Sequence, residues 1–565
     1  MIPVRPGAIA SLLFVAFILF VLPGVLSRYE ANSWLVGDGG FYLNMQKSLT
    51  WHGTLEQSQL HPHSWYDGTR EIDDAFSNIA RGRNGEWWPK HGYLMPVFTL
   101  PLYWAFGVDG TLIANVLSVS LVVVLSFLVA RRFASTAAAG VAAFAVGVAG
   151  PHAEYAYNFS NDGFYTVWLL GAFASAFGGT PRRRVLAGVL FGLAVWTKIT
   201  NVLFAPLLAL AVLYGPGEQA ARGREAVRQL VQVAAGAAVI LTLYGIANTY
   251  MFGRPWITSY QRVLVVRAGE LAVASHTDLF NVPFREGLMD VLFTRDHGLL
   301  TRYAPATLAW LGFIPLLVRR ETRRLGLGAA LTLLAVIAFF LRFKYYHERF
   351  LFPVFGLLVL PAAVLLDSAL TVLSTRFPSP ALQRLGAALC VGGLGAVAVT
   401  RDAFRREDRA SDRIESAVVR VGDAPCDYFN NMRWSWECPG RRGDDQLIGV
   451  SGAQRHRFKG REARGLILAA GHESKKPIEL TFPDFPVGPG LRIRFGLDDA
   501  SRAPVAVEMA VTIGEREVLR RRVAEPGVLF EAPLEGESGS QPIRVNLTTT
   551  DQARARFVFD IRRPR

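Results

Sequence analysis

Three kinds of residue are scarce in this chain of 565 residues, and each scarcity excludes a class of protein. Only 3 cysteines occur, which excludes a disulfide-rich secreted scaffold. Charged residues make up only 19% of the chain, against 51% hydrophobic residues. Soluble globular proteins carry more charge, about 25% of their residues. Together with a mean hydropathy of +0.26, this composition is typical of a membrane protein.

Acidic residues are also in the minority, with 46 against 60 lysines and arginines, and the formal net charge is +14. Nucleic-acid binding would account for such an excess, but the arginines fall in short clusters between apolar runs. These clusters are Arg131–Arg132, Arg182–Arg184, Arg222/Arg224/Arg228, Arg319–Arg320 and Arg323–Arg324. Clusters of this kind mark the cytoplasmic loops of membrane proteins. We therefore expect a membrane as partner and no nucleic acid.

The apolar segments predict a polytopic α-helical protein. They are 8–27, 110–130, 135–151, 162–179, 185–215, 229–252, 303–318, 325–341, 350–366 and 385–400. Residues 185–215 have arginines at both ends, so we predict two short spans that break near Lys198. The segment 93–107 contains two prolines, and we interpret it as an interfacial or re-entrant helix. The result is about 11 transmembrane helices in the inner or plasma membrane, with the N-terminus cytoplasmic and the C-terminus external.

The pattern divides the chain into three parts. Residues 1–400 form the transmembrane domain, in which residues 28–92 are a first external loop with juxtamembrane helices. Residues 401–425 are charged and predicted to be a helical linker. Residues 426–565 contain short alternating strands separated by turns, which predicts an external β-sandwich domain. Cys426 and Cys438 lie close enough in this domain to pair in an oxidising compartment, the alternative being two free thiols.

Asp38 is the most informative single residue. It follows the first apolar segment in the run Gly37-Asp38-Gly39-Gly40-Phe41-Tyr42-Leu43. A carboxylate just outside a span stays ionised at the membrane boundary and can reach the polar head group of a lipid-carried substrate. The alternative is an ordinary solvated loop aspartate.

Four further patterns fall on the same predicted external face. They are Trp88-Pro-Lys90-His91-Gly92, Asn158-Phe-Ser-Asn-Asp162, Gly192-Leu-Ala-Val-Trp-Thr197-Lys198 and Tyr345-Tyr-His347-Glu-Arg349 with Pro353 beyond it. The set, in this order, resembles the GT-C superfamily of polytopic glycosyltransferases, which includes the protein O-mannosyltransferases and the aminoarabinose transferase that modifies lipid A. The resemblance covers roughly residues 5–400. The chain departs from the family in its long first loop and in Gly39-Gly40, where the family commonly has Glu after the Asp.

The resemblance implies an enzyme of the cell envelope that uses a polyprenyl-phosphate sugar as donor on the external, periplasmic face. The acceptor is a lipid, a glycan or a protein. Asp38 is then the general base and Asp162 the second catalytic carboxylate. The leaving phosphate needs cations, and the substrate-binding candidates are Tyr42, Lys90, His91, Lys198, Lys344, His347 and Arg349. No metal ligands are identified and no cofactor is certain, although a divalent metal ion stays open.

Alternatives stay open for single residues and for the whole protein. Lys198 can simply snorkel to the interface, Arg349 can be an interfacial anchor, and Asp162 can cap the helix that follows it. The protein can also be a transporter or flippase of lipid-linked saccharides, or a non-catalytic glycan-binding membrane protein. Transporters place ionisable groups at the bilayer midplane and carry repeats. Here the charges lie at helix ends and no repeat is visible, which favours the enzyme.

Residues 426–565 should be cleaved by a protease added from outside, because the arginine clusters place the C-terminus there. The measurement is immunoblotting after proteolysis of cells whose outer envelope has been permeabilised. A cytoplasmic marker that stays intact is the control. Protection of the domain would overturn the predicted topology, and an external active site with it.

Overall fold

The computed structural model describes residues 6–30, 38–59, 79–157, 159–214, 223–267, 270–275, 280–294, 298–343, 346–376, 407–410, 417–422, 424–426, 428–430, 435–437, 449–459, 461–470, 477–499, 501, 506–549 and 556–564. The chain divides into two compact units, residues 1–401 and 402–565. The first is mostly helical and the second is built from β-strands.

The helices of the first unit are as follows, in chain order. They are α1 (Pro6–Glu30), α2 (Gly39–His52), α3 (Leu94–Phe106), α4 (Asp109–Ala130), α5 (Thr136–Ala149), α6 (His152–Tyr155), α7 (Asn161–Ala176), α8 (Pro181–Thr197), α9 (Ala205–Leu213), α10 (Gly223–Phe252), α11 (Phe284–Phe293), α12 (Ala304–Thr307), α13 (Phe313–Val318), α14 (Arg323–Phe340) and α15 (Phe352–Arg376). Short 3-10 helices occupy Ile199–Phe204, Ser259–Gln261, Leu308–Gly312 and Glu348–Leu351.

Among the described residues, 5 helices are long and apolar enough to cross a membrane. They are Pro6–Leu26, Asp109–Ala130, Gly223–Phe252, Arg323–Phe340 and Glu348–Val372, the last of which includes the 3-10 turn before α15. Shorter apolar helices occur at Leu94–Phe106, Thr136–Ala149, Ile199–Leu213 and Ala304–Val318. The chain is therefore an integral membrane protein. The segment 385–400, predicted as the last span, lies outside the described residues.

The predicted break near Lys198 is confirmed. Helix α8 ends at Thr197, and Lys198 has an extended backbone with φ −147° and ψ 106°. A 3-10 helix and then α9 follow, with Pro206 in the first turn of α9. Proline has no N–H to donate and suits only the first turn of a helix. The chain therefore restarts here, and Lys198 lies at a junction between helices.

Helices α8 and α10 pack backbone against backbone. A Cβ atom on Gly188 would overlap the carbonyl oxygen of Val233, and one on Gly236 would overlap that of Val185. Small residues allow such close approach between membrane helices. This contact fixes α8, whose C-terminal end carries Lys198.

A small antiparallel sheet joins two loops that are distant in sequence, and the sequence did not predict it. Its strands are β1 (Ile79–Arg81), β2 (Trp87–Pro89), β3 (Val263–Arg267) and β4 (Glu270–Ala274), in the order β2-β1-β3-β4. The first two belong to the loop before α3, and the last two follow α10. The sheet therefore holds the segment after β2 against the segment before β3.

The second unit contains two antiparallel sheets. Its strands are β5 (Glu407–Arg409), β6 (Val418–Val421), β7 (Ala424–Pro425), β8 (Tyr428–Asn430), β9 (Ser435–Glu437), β10 (Gly449–Phe458), β11 (Arg461–Ala470), β12 (Ile478–Val487), β13 (Arg492–Leu497), β14 (Val507–Ile513), β15 (Arg516–Val523), β16 (Val528–Pro533), β17 (Gly539–Thr549) and β18 (Arg556–Pro564). One sheet has the order β16-β13-β18-β11-β10-β9-β8, with β5 beside β18. The other has the order β15-β14-β17-β12-β6-β7.

Both sheets contribute to one hydrophobic core. Phe495 and Phe559 come from the first sheet, and Phe482 and Val545 from the second. Along β14 every second residue is buried, as expected for a strand with one face in the core. The alternating sequence pattern that predicted strands in this region thus corresponds to side chains that are alternately buried and partly exposed.

The predicted helical linker over residues 401–425 is wrong in its described part, which forms β5, β6 and β7. Val419 and Val421 are buried, while Val418 and Arg420 are exposed. This period of two matches a strand, and β6 pairs with β12 along Val418–Val421. The many charged residues of this segment favoured the prediction of a helix, and the alternating run of four residues was too short to indicate a strand.

Cys426 is disulfide-bonded, and Cys438 lies outside the described residues. Tyr428 pairs with Glu437 across the β8–β9 hairpin, so the chain turns back toward Cys426.

Peptide mapping without reduction should recover a Cys426–Cys438 cross-link, and Cys426→Ser should lower the stability of the unit by about 2–3 kcal/mol. Cys390→Ser is the matched control and should change neither result. Recovery of Cys426 as a free thiol would contradict the pairing.

Candidate active site

Asp38 directs its side chain into a long-range ion pair. It is the N-cap residue of α2, yet its carboxylate makes no capping hydrogen bond. Instead, Asp38 Oδ2 accepts a hydrogen bond of 2.9 Å from Arg349 Nη2. The two residues are 311 positions apart, so the fold and not local sequence creates this contact.

Arg349 lies between two carboxylates. It sits in the 3-10 turn that precedes α15, and its Nε atom is 3.9 Å from Asp162 Oδ2. That Nε atom is buried and makes no hydrogen bond with any described residue. The exposed fraction of the Arg349 side chain is 14%. The Nε–H group of the guanidinium therefore makes no charge-assisted hydrogen bond with a described residue.

Asp162 is the more buried carboxylate, with a side chain only 2% exposed. It lies in the first turn of α7, whose N-cap is Ser160. Its Oδ1 atom accepts a hydrogen bond of 2.7 Å from Tyr165. The capping alternative considered for Asp162 is thus not what the structure contains, and its carboxylate faces Arg349.

His91 and Lys90 reach the site from the loop after β2. His91 Nε2 is 3.9 Å from Asp38 Oδ1, and the His91 ring stacks on Phe41 with a centroid distance of 6.0 Å. Tyr42 packs edge-on against the same ring at 5.9 Å. The loop approaches α8 closely at Gly92, where a Cβ atom would overlap the carbonyl oxygen of Thr197.

Lys198 completes the set from the end of α8. Its Nζ atom lies 4.6 Å from the centroid of the Phe350 ring, and Arg349 Cζ lies 5.4 Å from the same centroid. Cations over an aromatic face gain from the ring quadrupole. Phe350 thus holds two cations on one side of the site. We call Asp38, Asp162, Arg349, Lys90 and Lys198 together the ionic cluster.

Burial and charge act in opposite directions on these groups. Burial disfavours the charged form of Asp38, but the Arg349 guanidinium outweighs it and holds the pKa of Asp38 well below its usual range. Burial lowers the pKa of His91 to about 3, and the nearby Asp38 offsets this only in part. His91 is therefore neutral at physiological pH. The ionic cluster contains three basic side chains and two carboxylates, so its charge balance favours an added anion when all five are ionised.

Of the remaining predicted site residues, His347 is exposed, with its ring 6.4 Å from that of Phe350. Lys344 lies outside the described residues. Tyr260 was not predicted, and it packs edge-on against His91 at 6.3 Å. Tyr260 and His91 are far apart in sequence, and the small sheet and the hydrogen bond from Ser259 to the Lys90 carbonyl bring their segments together.

A second set of polar side chains lies next to Arg349 in the structure, and the sequence analysis did not identify it. Tyr155 donates a hydrogen bond of 3.1 Å to Glu348 Oε1, and Glu154 forms an ion pair with Arg302. Glu348 is buried and directly precedes Arg349. The hydrogen bond from Tyr155 therefore helps to fix the turn that presents the guanidinium.

The side chains of this site do not form a metal site on their own. The two carboxylates share Arg349, and the described residues include no group of three or more His, Cys, Asp or Glu that could hold a metal ion. Zinc and calcium sites need more protein ligands than the two carboxylates supply.

No family model matches the chain, and no curated protein matches it significantly. Among solved structures it is similar to ArnT from Cupriavidus metallidurans bound to undecaprenyl phosphate, with a TM-score of 0.42 and 15% identity, over 66% of this chain and 63% of that chain. It is also similar to the oligosaccharyltransferase of Archaeoglobus fulgidus in the apo form (TM-score 0.42, 13% identity, 70% and 56% covered). A third is the arabinosyltransferase EmbB from Mycobacterium smegmatis (TM-score 0.41, 12% identity, 100% and 65% covered).

These neighbours are GT-C superfamily glycosyltransferases. The chain spans less than two thirds of the length of each, with 63%, 56% and 65% covered.

Anion binding at the ionic cluster should weaken as pH rises through about 8. Burial lowers the pKa of Lys90 to about 8, although Asp38 raises it, so Lys90 is cationic below that pH and neutral above it. The measurement is the affinity for a short alkyl phosphate between pH 7 and pH 9.5. In this range the charge of the probe is nearly constant, because its second pKa is about 6.

Two variants of Lys90 test whether this residue causes the pH dependence of probe binding. Lys90→Gln should bind the probe weakly at pH 7 and lose the step near pH 8. Lys90→Arg keeps its charge throughout and should bind well up to pH 9.5. A step near pH 8 that persists in Lys90→Gln would assign the titration to another group.

Proposed function

We propose that this protein is an integral-membrane glycosyltransferase that moves a sugar from a polyprenyl-phosphate donor to an acceptor hydroxyl. The observation that supports it most is one arginine held between two carboxylates, with two lysines beside it. Such a site offers a base for the acceptor and cations for the leaving phosphate in one place. ArnT, one of the similar solved structures, is bound to undecaprenyl phosphate, which is consistent with a lipid carrier.

The donor phosphate competes with Asp38 for Arg349. Guanidinium binds phosphate oxygens through paired, charge-assisted hydrogen bonds, and the free Nε–H of Arg349 is available for this purpose. When Arg349 turns toward the phosphate, Asp38 loses the main charge that lowers its pKa. Donor binding therefore makes Asp38 a stronger base at the moment when an acceptor needs one.

The chemical step is a single displacement. The acceptor oxygen attacks the anomeric carbon while its proton passes to Asp38. The bond between the anomeric carbon and the phosphate oxygen breaks, and its electron pair leaves with the polyprenyl phosphate. Arg349, Lys90 and Lys198 stabilise the charge that grows on this phosphate. Attack opposite the leaving group inverts the anomeric centre.

Asp162 keeps Arg349 in place in this scheme. It is too buried to exchange protons readily with solvent, and its second oxygen is held by Tyr165. Tyr42 closes the site beside His91. Both residues therefore shape the cleft around the reacting atoms.

The proposed architecture completes the scheme. It has about 11 membrane spans, the ionic cluster on the external, periplasmic face, and a C-terminal β-sandwich whose two sheets share one core. The acceptor is a lipid, a glycan or a protein.

Asp38→Asn should abolish most transfer, because it keeps the shape of the side chain and removes its basicity. General-base catalysis contributes roughly 10²–10⁴-fold, and a loss of this size is expected in turnover of a polyprenyl-phosphate sugar. Binding of undecaprenyl phosphate should be kept or strengthened, because Arg349 loses its competing partner. Arg349→Ala should instead weaken this binding.

Controls for the two changes lie elsewhere in the same unit. Asp367→Asn alters a carboxylate that bonds to the Ser135 backbone, and Arg319→Ala alters an arginine that bonds to Ser368. Neither should change turnover or binding. Near-normal turnover in Asp38→Asn would move the base to Asp162. Loss of both turnover and binding would mean that Asp38 organises the site and is not the base.

A further inference from the structure

Lys198 and Arg349 differ in what their charges contact. Arg349 forms an ion pair of 2.9 Å with Asp38. The ammonium group of Lys198 makes no hydrogen bond and no ion pair with any residue that the structure describes. Its Nζ atom lies instead over the ring of Phe350, 4.6 Å from the centroid. Cations that lose part of their hydration in a protein are normally paired with a carboxylate. At Lys198 an aromatic ring occupies the position expected for a counter-ion.

A carboxylate lies near Lys198 without pairing with it. Burial lowers the pKa of Lys198, and the charge of Asp162 opposes this shift. Asp162 already has other contacts, since its Oδ1 atom accepts a hydrogen bond from Tyr165 and its Oδ2 atom is 3.9 Å from Arg349. If Lys198 turned toward Asp162, the pair would attract an added anion less strongly. The contact with Phe350 therefore keeps the charge of Lys198 unneutralised.

The ring of Phe350 is itself held by other phenylalanines. Phe340, the last residue of α14, stacks on it with a centroid distance of 5.2 Å and an interplanar angle of 20°. Phe343 packs edge-on against it at 5.6 Å. Phe340 is buried, and Phe343 packs in turn on Phe280 at 5.0 Å. The ring therefore keeps its place whether or not Lys198 contacts it.

A ring and a carboxylate have different effects on a lysine. A carboxylate neutralises the charge and accepts hydrogen bonds from the ammonium group. A ring attracts the cation through its quadrupole and leaves the net charge unchanged. Arg349 lies near the same ring, with Cζ 5.4 Å from the centroid. Phe350 thus keeps two cations together without adding a negative charge that would compete with a bound anion.

We propose that Phe350 is a positioning residue of the phosphate site, whose ring takes the place of a counter-ion for Lys198. The inference rests on the proposed function, in which Lys198 and Arg349 stabilise the leaving phosphate. Arg349 has to exchange Asp38 for the phosphate, whereas Lys198 binds the phosphate without leaving a carboxylate. Such preorganisation strengthens binding, because the lysine loses no ion pair and little freedom when the anion arrives.

The test replaces Phe350 by phenylalanines that carry one, two or three fluorine atoms on the ring. Fluorine nearly keeps the shape of the ring and progressively weakens the negative potential of its face, on which the attraction of a cation depends. The fraction of molecules with Lys198 in place should then fall, and the apparent affinity with it. Binding of hexyl phosphate and of undecaprenyl phosphate to the purified full-length protein should weaken with each fluorine atom, roughly 2- to 10-fold in all.

Phe343 is the matched control position. It belongs to the same group of phenylalanines and packs on Phe350, but no cation among the described residues lies over its ring. The same fluorinated residues at position 343 should leave both affinities unchanged. In a Lys198→Met background, most of the trend at position 350 should be lost for hexyl phosphate, because the ring has no lysine to hold. Phosphorus NMR measures the weak binding expected there.

The outcomes separate this inference from the proposed function. Equal affinities of the fluorinated and unmodified proteins would overturn the inference alone. A trend that persists unchanged in the Lys198→Met background would overturn it too, because the ring would then act through another group. A trend with hexyl phosphate, together with no binding of undecaprenyl phosphate, would support the role of Phe350 and contradict the lipid donor. Failure of both phosphates to bind would contradict both proposals.

Discussion

The first unit depends on one buried guanidinium. Arg349 contacts Asp38 at 2.9 Å and Asp162 at 3.9 Å, and the three residues stand at or just before the starts of α15, α2 and α7. Each of these charges would be costly alone in a buried place, and removal of one partner from a buried pair costs about 3–5 kcal/mol. Helix N-termini carry a partial positive charge, which further favours the two carboxylates and any added anion. The charges that hold these helix ends together are therefore the charges that the proposed phosphate would contact.

This arrangement makes the protonation behaviour of Asp38 depend on what Arg349 contacts. With Arg349 as its partner, Asp38 is held ionised and is a poor proton acceptor. In the proposed reaction a phosphate becomes the partner of Arg349, and the same carboxylate then becomes more basic. The ion pair would then be a resting state that the charge of the substrate converts. The neutral His91 beside Asp38 adds no second competing charge.

Much of this site was predictable because membrane topology is a strong constraint. Asp38, Asp162, Lys198 and Arg349 each lie at the end of an apolar run, and hydropathy together with basic loops assigns those ends to one face. The ion pair between Asp38 and Arg349 was not predictable, since we expected Arg349 to face a phosphate and no local pattern reports a contact over 311 positions. The small sheet escaped for the same reason. Its strands of 3–5 residues pair across distant loops, and this pairing helps to bring Tyr260 to His91.

The small sheet explains how residues from two distant loops reach the ionic cluster. Strand β2 leads directly into Lys90 and His91, and β3 follows Tyr260, so one framework positions part of the charged cluster and the aromatic ring beside it. His91 contacts both, since it lies near Asp38 and packs against Tyr260. Because its pKa is far below physiological values, His91 lies between a charged region and an uncharged one without carrying charge itself. The charge available to a bound anion is therefore set by Arg349 and the two lysines and not by the imidazole.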